Sequence, residues 1–87
     1  MTEKGIRMEK RLGIIGIIIK DRFKAAPAVN DILSDHGEII VGRMGLPFKD
    51  RGVNIIDLII EATTDEVGAL TGKLGMLDGV QVKSLLV

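Results

Sequence analysis

One histidine, no cysteine and twelve scattered carboxylates are the raw material for side-chain chemistry in this chain. A metal site needs several strong ligands from His, Cys or carboxylates. His36 alone can supply only one of them, so a metal reading requires a site shared between subunits. Lys20, Asp21, Arg22 and Lys24 crowd one short stretch. Arg22 or Lys24 there would hold a small anion or carboxylate beside a helix N-terminus, while a solvated charged loop is the plainer account. Arg43 has the same two faces: a bridge between charges at an interface, or an exposed cation. No nucleophile is set up. There is no G-x-S-x-G stretch, and the single histidine has no serine and acid arranged around it. Gly13 and Gly16 make no phosphate loop, because they sit inside an apolar run with no helix directly behind it. Backbone clearance explains them better. We therefore expect no catalytic residue and no cofactor.

The elements that must position these residues follow from periodicity. Leu12–Ile19 reads as a first strand, rich in isoleucine. After the charged connection Lys20–Lys24, Pro27 suits the first turn of a helix. Ala25, Ala28, Val29, Ile32 and Leu33 recur at the spacing of one buried helical face, and Gly37 fits the left-handed position just past that helix. Glu38–Phe48 reads as strand two, Lys49-Asp50-Arg51-Gly52 as a hairpin turn, and Val53–Ala62 as strand three. Thr63 with Glu66 has the spacing of a capping box and opens a second helix, whose buried stripe is Val67, Leu70, Leu74 and Leu77. Gly68, Gly72 and Gly75 weaken that helix by up to about 1 kcal/mol each relative to alanine, so packing must hold it. Asp78-Gly79 turns the chain into strand four, Val80–Val87. The order β, α, β, β, α, β predicts one α+β domain over residues 10–87, behind a flexible arm at 1–9. Two split βαβ units with right-handed crossovers give the ferredoxin-like arrangement, a four-stranded antiparallel sheet with both helices on one face.

A sheet covered on one face should alternate apolar and polar residues. Strand four nearly does so, with Val80 and Val82 against Gln81 and Lys83. Strands one and three, the expected central pair, are apolar on both faces. Two helices can cover only one of these faces, and small soluble proteins rarely leave the other open. We therefore expect self-association through the sheet, as a dimer or tetramer. We place its interface at Ile15, Ile17 and Ile19 of strand one and at Val53, Ile55 and Ile59 of strand three. Asp57 would interrupt that surface and needs a partner or an edge position.

Composition narrows the remaining classes. The formal net charge is zero and the only aromatics are two phenylalanines. Neither an electrostatic driver nor a stacking platform for nucleic acid is present, so we expect no direct nucleic-acid binding. The apolar run is far short of a membrane span of about 20 residues. Basic residues ahead of it loosely mimic a secretory leader, but Lys20, Asp21, Arg22 and Lys24 follow at once and oppose cleavage-site geometry. We expect a cytoplasmic protein with no membrane partner.

The stretch Ile17–Arg22, then Val29-Asn30-Asp31-Ile32-Leu33-Ser34-Asp35-His36-Gly37-Glu38 and on through Ile39–Pro47, resembles the iron-only hydrogenase system regulators. Leu74–Lys83 is similar to the closing segment of ACT domains. The resemblance implies an ACT-like fold, oligomerisation, and a non-enzymatic regulatory role acting through a partner, such as a DNA-binding protein. It also implies a small effector near the first βα loop, with Asp21, Arg22 and Lys24 lining that position. The layout is similar as well to the sensing domain of the nickel-responsive regulator, which makes a metal sensor the alternative. That family places histidines on the equivalent of strand two and a cysteine after them. Here Gly42, Arg43, Met44 and Gly45 stand instead, and only His36 matches. The residues ahead of strand one are too few for that family's ribbon–helix–helix domain. A small enzyme on the same fold ranks last, since ferredoxin-like folds host many chemistries but no acid–base constellation is visible.

Overall fold

The computed structural model describes residues 9–20 and 22–87, with the side chains of Arg22 and Phe23 outside the description. The arm expected over residues 1–9 lies almost wholly outside it. In chain order the elements are β1 (Arg11–Ile19), α1 (Arg22–Asp35), β2 (Ile40–Phe48), β3 (Val53–Ala62), α2 (Thr64–Gly75) and β4 (Val80–Leu86). The strands form one sheet in the order β2-β3-β1-β4, with every neighbouring pair antiparallel. This is the ferredoxin-like arrangement read from the sequence.

Pairing register decides which residues share a face. Ile15 stands opposite Leu58 and Ile17 opposite Ile56, while on the other flank Ile17 faces Val82 and Ile19 faces Val80. These side chains meet Val29 and Leu33 of α1 and Val67, Leu70 and Leu74 of α2 in one buried cluster. Ile15, Ile17, Leu58, Ile60, Leu70 and Leu74 are completely shielded from solvent, each contributing about 1.5–3 kcal/mol by its burial. Gly13 is required on this side: a Cβ there would lie 2.6 Å from the Leu85 carbonyl oxygen and 2.6 Å from Leu86 Cδ2.

The two faces of the sheet therefore correct the expected interface. Ile15, Ile17 and Ile19 are core residues beneath the helices, so they are withdrawn from it. Val53, Ile55 and Ile59 lie on the opposite face, and their β1 neighbours there are Leu12, Ile14 and Ile18. An alternating pattern says which residues share a face but not which face the helices take.

Three local expectations also change. α1 begins at Arg22, so Pro27 sits within the helix rather than in its first turn. There it is exposed and lacks the N–H that would close the bond to the carbonyl four residues back. Gly37 does not take a left-handed conformation; positive φ occurs at Gly52 and Gly79. α1 instead runs into a 3-10 turn, Gly37–Ile39, entered through His36, and this turn absorbs Glu38 and Ile39 from the expected start of β2. At the hairpin, a 3-10 turn over Lys49–Arg51 ends at Gly52 with φ 68°.

α2 starts as its sequence indicates. The Thr63 side chain accepts a hydrogen bond from the Glu66 backbone N–H at 3.1 Å. The Thr63 backbone N–H donates to Glu66 Oε1 at 2.8 Å. That second bond is the main reason the Glu66 carboxyl is held below its usual range, with Lys10 nearby, 3.4 Å away, helping.

Candidate functional site

Three places could carry function, and the fold separates them. The first is the outer face of the sheet, which no helix among the described residues covers. Across it run parallel rows of side chains set by register. One row joins Leu46, Ile55, Ile18 and Gln81; another joins Ile59, Ile14 and Leu85. Leu12, Ile14, Leu46, Met44, Ile59 and Leu85 are each about half exposed or more. Between the apolar rows lies a mixed one: Met44, Asp57, Gly16 and Lys83. Sequence reasoning missed Leu12, Ile14 and Ile18 as members of this surface. The signal was available in β4, where Gln81 and Lys83 mark the uncovered side, but using it required the β1–β4 register.

The second place is a hollow of about 220 Å³ between α1 and the β2–β3 hairpin, beside the first βα junction. Asn30 and Ala26 of α1, Arg43 and Gly45 of β2, and Asn54 of β3 line it. Arg43 is exposed on β2 and donates to Asn30 Oδ1 at 3.2 Å. Asn54 Oδ1 is buried there with no hydrogen-bond donor among the described residues, an arrangement that costs about 1–3 kcal/mol and is rare enough to call for an explanation. Together the two groups offer an anion-binding guanidinium and an unfilled acceptor. Of the residues expected to hold a ligand close by, Lys24 is exposed at the start of α1; Asp21 and the Arg22 side chain lie outside the described residues.

The third place is the far end of the outer face, a hollow of about 570 Å³ whose walls include Ile18, Phe48, Val53, Lys20 and Arg51. Among the described residues two cations and no carboxylate line it, which favours an anionic occupant.

His36 is not part of any of these. Its Nε2 lies 3.3 Å from Lys73 Nζ, close enough for Lys73 to donate to it. Among the described residues no three His, Cys, Asp or Glu side chains gather as a metal site. Also among the described residues, no helix is long and apolar enough to cross a membrane.

The comparisons with known proteins agree with this architecture. The family model described as "Iron-only hydrogenase system regulator, putative" matches residues 11–84. The chain belongs to that family. The uncharacterized protein TM1266 from Thermotoga maritima is 40% identical, superimposes with a TM-score of 0.87, and is matched over 91% of this chain and 99% of its own. The ACT domain of the GTP pyrophosphokinase from Chlorobium tepidum is 23% identical with a TM-score of 0.74, over 87% of this chain and 99% of that one. The nitrogen regulatory PII-like protein CPII from Thiomonas intermedia K12, in its apo form, is 18% identical with a TM-score of 0.51, over 88% and 91%. The last two likenesses concern the fold alone. No curated protein matches the chain. Membership of the regulator family and the ACT-like fold thus stand as the resemblance implied.

Proposed function

We propose that this chain is a non-enzymatic regulatory module of an iron-only hydrogenase system in the cytoplasm. It assembles with copies of itself through the outer sheet face, binds a small effector, and acts through a partner protein. The observation that carries this reading is the uncovered outer face, where Leu12, Ile14, Leu46, Ile59 and Leu85 present apolar side chains to water. Contiguous exposed patches of this kind mark interaction surfaces.

The effector site we favour is the hollow beside the first βα junction, lined by Asn30, Arg43 and Asn54; Asp21, Arg22 and Lys24 are the further ligand residues that the family resemblance implies. Its ligand would bear an acidic group for Arg43 and a donor for the orphaned Asn54 Oδ1. Sedimentation equilibrium together with a thermal-shift screen of small acidic metabolites tests the proposal. We expect a stable oligomer and at least one stabilising ligand whose effect is lost in Arg43→Ala. A monomer at high concentration, or a screen with no shift, would overturn the assembly or the sensing half respectively. The metal-sensor alternative finds no support in the surroundings of His36.

A further inference from the structure

Building on the self-association just proposed, the geometry points to one particular pairing. Two copies stack their outer faces about a two-fold axis that runs along β1, so that Asp57 of each forms an ion pair with Lys83 of the other.

The argument begins with the mixed row. Asp57 and Lys83 stand in register with Gly16, one strand to either side of it. Two strand spacings, roughly 10 Å, separate them within one protomer. Neither makes a hydrogen bond or ion pair among the described residues. Gly16 between them has open space where a Cβ would be, which leaves a notch between the charges. Above and below the notch lie Ile18 and Ile14, flanked by Ile55, Ile59 and Leu85.

Burying such a face must also bury these two charges, and an unpaired buried charge is heavily penalised. A closed pair of identical copies is isologous, and for stacked sheets its axis lies parallel to the sheet plane. An axis across the strands would set Asp57 against its own copy and Lys83 against its own copy. A diagonal axis would press both charges onto isoleucine. An axis along β1 exchanges left and right instead: Asp57 falls over the other copy's Lys83 twice over, Ile59 falls over Leu85, and Ile14, Gly16 and Ile18 meet themselves. Packed sheets stand about 10 Å apart, a gap an aspartate and a lysine bridge together. The usual offset of about 30° between such sheets displaces groups this near the axis only slightly. Lys20 also meets its own copy, but at the strand end its exposed side chain reaches water. There the hollow it shares with Arg51 gives an anion room to sit between the copies.

Sedimentation equilibrium of the wild type, Asp57→Lys, Lys83→Asp and the double exchange tests the pairing, with circular dichroism confirming that each variant is folded. We expect each single reversal to raise the dissociation constant at least about tenfold and the double exchange to return it to within about threefold of wild type. Carbodiimide coupling of the wild type, using mixed isotope-labelled and unlabelled chains, should join Asp57 to Lys83 between chains. If the wild type dimerises while the single reversals change nothing, or the coupled dimer lacks that linkage, the pairing is wrong and self-association survives. If the wild type is a monomer throughout, self-association fails first and the pairing falls with it.

Discussion

The two faces of this sheet are built from nearly the same residues and do opposite things. Beneath the helices, Ile15, Ile17 and Leu58 are sealed from water; one residue along, Ile14 is 48% and Ile59 52% exposed. Strand propensity cannot account for the difference, because isoleucine is equally favourable on either side. The inner face is sealed by α1 and α2, whereas the outer face leaves its apolar side chains open to solvent, the surface we propose for self-association. One residue type thus stands both in the sealed core and on open surface, and only its side of the sheet decides which.

The sharpest way to break this comparison is to damage each face in turn. Leu58→Ala should destabilise the fold by about 2–5 kcal/mol, since it opens a cavity at a site with no solvent access. Ile59→Ser, its neighbour on the outer side, should leave monomer unfolding within about 0.5 kcal/mol of wild type, as surface substitutions usually do. Urea denaturation at low protein concentration separates the two. Equal losses would mean that both faces belong to the folding core. Ile14→Glu should abolish self-association while the chain remains folded by circular dichroism, because it places a like-charged pair on the proposed axis.

Smaller effects sharpen the contrast at α2, which covers the inner face. Thr63→Ala should cost about 1 kcal/mol by removing the N-cap acceptor, measured by thermal unfolding. Gly68→Ala should stabilise by about 0.5–1 kcal/mol, because its backbone is not left-handed and a Cβ there meets nothing within 4 Å. The smallest effect is a pH dependence. The Glu66 carboxyl is held below its ordinary range, chiefly by the Thr63 backbone N–H. A lowered folded-state value favours the native state above the unfolded-state pKa, and the advantage disappears as pH falls through the folded value. Because Glu66 is 40% exposed, solvent screens the gain. The acid limb of a stability profile should shift slightly in Glu66→Gln and leave neutral stability almost unchanged.

Much of this was legible in the chain. Val53–Ala62 is a strand with the expected limits, because Gly52 and Thr63 punctuate it with a left-handed turn and a helix cap. α2 announces itself through the reciprocal bonds of Thr63 and Glu66. α1 was less readable, since Pro27 reads as a first-turn residue yet sits inside a longer helix. The hollow beside α1 was unreadable for a different reason. Asn54 has no unusual neighbours in sequence, and its orphaned oxygen exists only because β3 brings it under α1 next to Arg43.

By itself the sequence determined the order of elements, the antiparallel pairing that short connections enforce, and the existence of more apolar strand surface than two helices can shield. Tertiary structure alone decided which surface was left over. In β1 and β3 both parities are apolar, so alternation carries no sign there. The sign is set by the register that ties Ile17 to Val82 and leaves Lys83 and Gln81 outside, and a register is a relation between distant segments that no local pattern encodes.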